Sequence, residues 1–215
     1  CGSDFFENFD FFHEGKSHKG QGKFFGPITV EDGKTIHDDI NTLNGNIVIG
    51  SNCKITGKCS TVNGNIEIGT NSKVEELDTV NGNIALGEQS VISEDIHSIN
   101  GSLKTAKGAE IKGDVRVING VIRLVDSTVK EDIRIYSADI SLTGSSMIKG
   151  DILVTGHAVF FLHRHHNRKL TIEIKDNSVV KGCIIVKDHH AEVKVILSGN
   201  GKVEGEIIDA EVIRH

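Results

Sequence analysis

Apolar residues in this chain recur in short alternating strands that are separated by glycine, asparagine and aspartate. In a strand such as Ile47-Val48-Ile49 the first and third side chains share one face and would point inward. No segment keeps the helical spacing i, i+3, i+4, i+7 beyond one turn. The pattern therefore predicts an all-β structure built from short strands.

These strands belong to a repeat of nearly fixed length. An Asn-Gly phrase has its asparagine at positions 44, 63, 81, 100 and 119, so the period is 18 or 19 residues, which is typical of a solenoid. Asn-Gly suits a corner because both residues tolerate positive φ. Three strands and three corners per period predict one triangular rung of a single-stranded parallel β-helix. About eight to nine rungs, spaced ~4.8 Å apart, would give a prism roughly 40 Å long.

A second phrase, for example Ile111-Lys112-Gly113-Asp114-Val115, recurs in step with the first. It gives the register of the rungs and indicates an insertion. The step from position 148 to 180 is 32 residues, so about 13 are inserted there. Because 159–161 and 172–174 both fit one strand position, we predict a hairpin at about 159–174 that leaves the prism. The apolar residues that open the phrase, which should be equivalent, are Ile36, Ile55, Val74, Ile92, Ile111, Val129, Ile148, Val180 and Val203.

The repeat also bears on the direction of winding. Residues 49–54 and 68–73 match the loose hexapeptide pattern of left-handed acyltransferase prisms. Such a prism needs the pattern on all three faces, and here it occurs on one. We therefore expect right-handed winding.

Residues 1–25 form a separate Phe-rich segment before the β-helix domain, which we place at 26–215. Phe5, Phe9 and Phe12 are spaced as on one face of a short helix. Two interpretations stay open: the aromatic residues cover the first rung or pack on the prism, or they dock on a membrane or a partner. The candidate docking residues are Phe5, Phe6, Phe9, Phe11 and Phe12.

Composition limits the partners and the cysteine chemistry. The net charge of −6 offers no basic patch for nucleic acid, and no apolar run is long enough for a membrane-spanning helix. Cys53 aligns with small residues of other rungs and Cys59 with the inward Ile40 and Leu77, so both should be core residues. A Cys53–Cys59 disulfide is the alternative.

Two groups of residues are candidates for chemistry. A column of aspartates one rung apart could bind Ca²⁺ or sugars, but nearby lysines (Lys112, Lys130 and Lys149) favour a neutralised charged surface. His157, His189 and His190 fall at matching corners and are secondary candidates for a metal site, without a recognised ligand spacing. We expect no cofactor and no catalytic residues, because no Ser-His-Asp or Cys-His grouping stands out. The column contains Asp95, Asp114, Asp132 and Asp151.

The first residues resemble the start of a processed lipoprotein. Cys1-Gly2-Ser3 is similar to mature bacterial lipoproteins after removal of the signal peptide at a lipid-modified cysteine. The resemblance implies lipidation of Cys1 and, since Gly2 is not aspartate, localisation at the bacterial outer membrane. Multiple acyl chains would give durable anchoring.

The repeat phrases resemble those of bactofilins and related polymer-forming β-helix proteins. They include Val-Asn-Gly-Asn-Ile at 62–66 and 80–84 and Lys-Gly-Asp-Ile at 149–152, within a similarity over 28–213. The resemblance implies a non-catalytic protein that associates end to end. Bactofilins lack the lipoprotein cysteine and the late insertion, so an envelope lipoprotein on the same scaffold fits the sequence better.

Two functions of different classes follow. The first is a structural scaffold or interaction module, self-associating or an accessory subunit of an outer-membrane assembly. The second is a carbohydrate-binding or carbohydrate-modifying β-helix with a polysaccharide partner, although the rungs have acidic residues and only one tyrosine, Tyr136.

The C-terminal edge is the predicted contact with another chain or another copy. The end of a solenoid exposes unpaired backbone groups unless they are covered, and no covering segment follows residues 207–213 in this sequence. We predict strand addition there, with Ile208, Val212 and Ile213 in the contact.

Overall fold

The computed structural model describes residues 25–156 and 168–215, and the regular structure in these ranges is β-strand throughout. Each coil has three faces, named A, B and C here in chain order. Face A contains β1 (Ile28–Val30), β4 (Ile47–Ile49), β7 (Ile66–Ile68), β10 (Ile84–Leu86), β13 (Leu103–Thr105), the second halves of β15 (Val115–Val125) and β17 (Ile133–Thr143), β20 (Arg168–Ile174), β23 (Ala191–Leu197) and β26 (Glu211–Arg214).

The other two faces complete each coil. Face B contains β2 (Thr35–Ile36), β5 (Lys54–Ile55), β8 (Lys73–Val74), β11 (Val91–Ile92), β14 (Glu110–Ile111), β16 (Thr128–Val129), β18 (Met147–Ile148), β21 (Val179–Val180) and β24 (Lys202–Val203). Face C contains β3 (Ile40–Asn44), β6 (Lys58–Asn63), β9 (Glu76–Asn81), β12 (Ile96–Asn100), the first halves of β15 and β17, β19 (Ile152–Val154), β22 (Ile184–Val186) and β25 (Ile207–Ile208).

Equivalent strands of successive coils pair in parallel. On face A, for example, β4 pairs with β1 on one side and with β7 on the other. The result is a parallel β-solenoid of about nine turns, which confirms the predicted all-β class and repeat architecture. The nine strands of face B are in the predicted register, since each predicted equivalent residue lies in one of them.

The core consists of inward columns that continue from coil to coil. On face C, Ile96 lies between Leu77 and Val115, and all three are fully buried. Complete burial of such an aliphatic side chain contributes ~1.5–3 kcal/mol. The columns are therefore the main source of stability, and each inward residue depends on the coil before and the coil after it.

Cys53 and Cys59 are buried residues with free thiols, so the disulfide alternative is wrong. Cys59 lies between Ile40 and Leu77 in the inward column, as the repeat predicted. Burial raises the pKa of its thiol to about 12, because a thiolate at this place would lose its hydration. Cys53 is equivalent to Ser72, whose Oγ accepts a hydrogen bond from the Cys53 amide at 2.9 Å.

The Asn-Gly corner needs its glycine for close packing; of the five corners only Gly120 has the expected positive φ (147°). A Cβ on Gly64 or Gly82 would collide with the carbonyl oxygen of the glycine one coil earlier. Left-handed backbone occurs instead at the corner after face A, for example at Asn52 (φ 57°) and Asn71 (φ 56°). Nδ2–Oδ1 hydrogen bonds of 2.8–3.0 Å join the corner asparagines into a ladder: Asn44, Asn63, Asn81, Asn100 and Asn119.

The described part of the insertion differs from the predicted hairpin. Strand β20 pairs in parallel with β17 and with β23, so 168–174 belongs to the solenoid, whereas a hairpin stem would be antiparallel. The reason is burial: Ile172 lies fully buried between Ile140 and Val195 and gains a neighbour on each side. The other half of the predicted hairpin, 159–161, lies outside the described residues.

Candidate functional site

One outward row of face C is unusually rich in polar and charged residues. Its members alternate with the inward core residues and therefore point away from the core. Three of them, Ser60, Asp78 and His97, are nevertheless buried. In register from coil to coil, the row contains Ser60, Asp78, His97, Arg116 and Arg134.

Asp78 is the centre of a charged network within this row. Its Oδ1 lies 3.0 Å from His97 Nδ1, and its Oδ2 forms an ion pair with Lys58. Lys58 Nζ also lies 3.3 Å from Glu76 Oε1. Asp78 Oδ2 makes no hydrogen bond of good geometry to the described residues, so the ammonium charge of Lys58 compensates for its burial.

The contacts of His97 define its tautomer. Arg116 Nη1 lies 3.3 Å from His97 Nε2. Because arginine can only donate hydrogen bonds, His97 Nε2 accepts and Nδ1 carries the proton that is donated to Asp78. The imidazole thus connects the Lys58–Asp78 ion pair to the arginines of the next coils.

The carboxylates raise the pKa of Lys58. Burial by itself lowers that pKa, but the ion pair with Asp78, followed by the one with Glu76, outweighs burial, so the pKa rises above its ordinary value. Lys58 is therefore charged throughout the physiological range. Removal of Asp78 would leave this ammonium without its closest partner.

The same residues have the spacing of metal ligands. One atom each of Glu76, Asp78 and His97 lies within 4.8 Å of the other two. The Lys58 ammonium already occupies the place of a cation between the two carboxylates, and His97 presents a protonated nitrogen to them. The arrangement is therefore chemically suited to an ion-pair network.

The predicted aspartate column binds backbone amides. Each Oδ1 accepts a hydrogen bond from the amide one coil further on, at 2.7–3.1 Å. Arg134 forms ion pairs with Asp114 and Asp132, and Arg116 lies 3.3 Å from Asp114. In the middle of the column, at Asp114 and Asp132, the charge is thus neutralised by arginines in place of the expected lysines. The four carboxylates belong to Asp95, Asp114, Asp132 and Asp151.

A second cluster lies where β20 begins. The Arg168 guanidinium lies 3.7 Å above the centre of the Tyr136 ring and forms an ion pair with Asp188. Asp188 Oδ1 also accepts a hydrogen bond of 3.0 Å from the His190 amide. Burial opposes ionisation of Asp188, but the His190 amide and the Arg168 charge outweigh it and lower the pKa. The cluster anchors the long corner before β23.

The structure leaves the histidine and N-terminal predictions untested. His189 and His190 are exposed in the corner before β23, and in the described part of the chain neither belongs to a group of metal-ligand atoms. His157 lies outside the described residues. The same holds for Cys1 and for the candidate docking residues Phe5, Phe6, Phe9, Phe11 and Phe12.

The last coil exposes apolar residues at the edge where self-association was predicted. Ile208 is 39% exposed and Val212 is 41% exposed, while Ile213 is half-buried. Among the described strands, β25 pairs only with β22 and β26 only with β23. Val212 and Ile207 line an open depression together with Leu197 and Val203. The edge therefore combines apolar side chains with strands that have a neighbour on one side.

The Lys58–Asp78–His97 network was not predicted from the sequence. The sequence does contain a signal for this row. In successive coils, from Ser60 to Arg134, a polar residue comes directly after the first inward residue of the face C strand. The contact between these residues depends on the register of the coils, which brings positions 18 or 19 residues apart into adjacent strands.

Comparison with known proteins yields no family for this chain: no family model, curated protein or solved structure matches it significantly. The part of the chain that the structure describes contains no helix of the length and apolarity needed to cross a bilayer.

Proposed function

We propose that this chain is a non-catalytic scaffold or interaction module that associates with another copy through the last coil of its solenoid. The supporting observation is the exposure of Val212, which occupies an inward column whose members in the middle of the solenoid are fully buried. A second coil stacked on this end would bury Val212 and pair the free side of β26.

The resemblance of the repeat phrases to bactofilins supports the same proposal, since end-to-end association is a property of that family. The proposed place of the scaffold is the outer membrane of a bacterial envelope, with lipid on Cys1. Cys1→Ser should release the protein into the soluble fraction of fractionated cells. Retention of the variant in the membrane fraction would contradict lipid anchoring and leave the scaffold proposal standing.

Light scattering on the purified full chain in detergent tests self-association. We expect an oligomer whose mass rises with concentration, and the double variant Val212→Asp, Ile213→Asp should reduce that mass because it puts charge on the contact. The matched control is Lys104→Asp, which introduces an acidic residue at an exposed outward position of face A in the middle of the solenoid.

The melting temperature must be measured in parallel, so that loss of the oligomer is separated from unfolding. A parent chain that stays monomeric at high concentration would contradict the proposal, and so would an oligomer that both substitutions leave intact. An oligomer that Lys104→Asp disrupts equally would place the contact on face A instead.

A further inference from the structure

Three successive outward side chains of face C are buried, whereas exposed charged side chains stand at outward positions of face A in the same part of the solenoid. On face A the outward Glu67, Lys104 and Arg123 are exposed, as expected for a solenoid surface. On face C the outward Asp78 is 0% exposed, and Ser60 and His97 are almost as inaccessible. Full burial of a charged outward side chain is unusual on an open surface, which points to a cover over these three positions in addition to the neighbouring Lys58 and Arg116 side chains.

An apolar row runs beside the covered charged row. In each face C strand, its member comes directly after the second inward residue, such as Thr79 or Val117. Ile118 in this row is only 5% exposed, yet it is not part of the hydrophobic core cluster. The row is therefore partly buried although it faces away from the core. Its members are Leu43, Val62, Val80, Ile99 and Ile118.

The N-terminal chain joins the solenoid at the beginning of this row. The Gly26 amide donates a hydrogen bond of 2.8 Å to the Asn44 carbonyl, and Thr42 Oγ1 donates one of 3.0 Å to the Gly26 carbonyl. These two contacts flank Leu43, the first member of the row. The preceding chain therefore emerges next to the surface that needs a cover.

Length and composition make the preceding chain a suitable occupant. The row spans five coils, roughly 20 Å at ~4.8 Å per coil. About six extended residues, at ~3.3 Å each, cover that distance, and 24 residues precede Phe25. Five phenylalanines lie within residues 5–12, whereas the other segment outside the described ranges, 157–167, has two, Phe160 and Phe161.

We propose that residues 5–12 pack on the apolar row of face C of the same molecule, with their phenylalanines on Val62, Val80 and Ile99. The contact excludes water from the adjacent Lys58–Asp78–His97 network and strengthens its ion pairs, because charges attract more strongly at low dielectric. Face C is then an intramolecular docking surface, and release of the segment exposes it. This inference does not depend on self-association at the last coil.

Cysteine labelling on the full chain tests the contact. Val80→Cys places a thiol on the apolar row, and Lys104→Cys places one on the exposed face A as a control. Labelling by a maleimide is followed at each cysteine by peptide mass spectrometry, so that Cys53, Cys59 and Cys183 do not interfere. We expect the thiol at position 80 to react at least about tenfold more slowly than the one at 104, as for a locally protected site.

The segment is then changed at three positions, Phe5→Ser, Phe9→Ser and Phe12→Ser. This change should accelerate labelling at position 80 to the rate at 104, which itself should not change. The matched control is Phe160→Ser with Phe161→Ser, which should leave position 80 protected.

Three outcomes overturn the proposal. The thiol at position 80 reacts in the otherwise unchanged chain as fast as the one at 104, or the three N-terminal substitutions leave it slow. The third is protection that is lost only with Phe160→Ser and Phe161→Ser, which makes 157–167 the occupant. Unchanged melting temperatures verify that the solenoid stays folded in each variant.

Discussion

Ile28 in the first coil and Val212 in the last coil occupy opposite ends of one inward column, and their exposure differs. Ile28 is 8% exposed and Val212 is 41% exposed, while Ile122 and Ile172 between them are fully buried. An inward position in a solenoid becomes core only when something covers it from both sides. The first coil is shielded at this position, and the last coil leaves its apolar side chain exposed.

The largest effect should come from placing a charge in the middle of this column. Ile122→Asp buries a carboxylate without a partner and should cost at least about 3 kcal/mol of unfolding free energy. Val212→Asp, in the same column, should cost less than about 1 kcal/mol because water reaches the site. Denaturant unfolding of both variants measures the difference, and equal costs would show that the last coil is as buried as the middle.

The covered charged network should rank second. Asp78→Ala removes the closest partner of Lys58 and of His97, and leaving buried donors unsatisfied should cost about 2–3 kcal/mol. Glu67→Ala, at an exposed outward position in the same region of the solenoid, serves as the control and should change stability by less than about 0.5 kcal/mol. If the two alanine variants unfold at the same denaturant concentration, face C does not contribute to stability through this network.

The direct comparison of the two ends should give a smaller effect. Ile28→Asp should cost about 1–2 kcal/mol, because the side chain is buried but belongs to a coil with only one solenoid neighbour. Val212→Asp, measured in parallel, should cost less. A larger cost at Val212 would reverse the assignment of the shielded and the open end.

The smallest effect concerns the corner that leads into the last complete coil. The pKa of Asp188 is lowered in the folded state, so its ionised form stabilises the fold above its ordinary pKa of 3.8. That contribution is lost as the pH falls through the lowered pKa. Asp188→Asn should therefore lower the melting temperature at pH 6 and have less effect near pH 3. A difference of the same size at both pH values would contradict the role of the charge.

The periodic pattern was sufficient to predict the column geometry. Ile96 lies between Leu77 and Val115, and Cys59 between Ile40 and Leu77, as spacing alone indicated. The prediction was less successful at the insertion, where two segments have the same apolar pattern. Pattern could not choose between them, because the choice depends on which strand gains neighbours on both sides, as β20 does.

The sequence by itself determined the fold class, the register of the coils and the buried cysteines, because a repeat of 18 or 19 residues places equivalent side chains in adjacent strands. Only the tertiary structure showed why the Asn-Gly corners need glycine: a Cβ there would collide with the carbonyl group of the preceding coil. It also decided that Lys58, Asp78 and His97 form one largely buried network and that Val212 is exposed in the last coil. These features depend on contacts between coils and on what covers an outward face, and neither the spacing nor the type of a single residue specifies them.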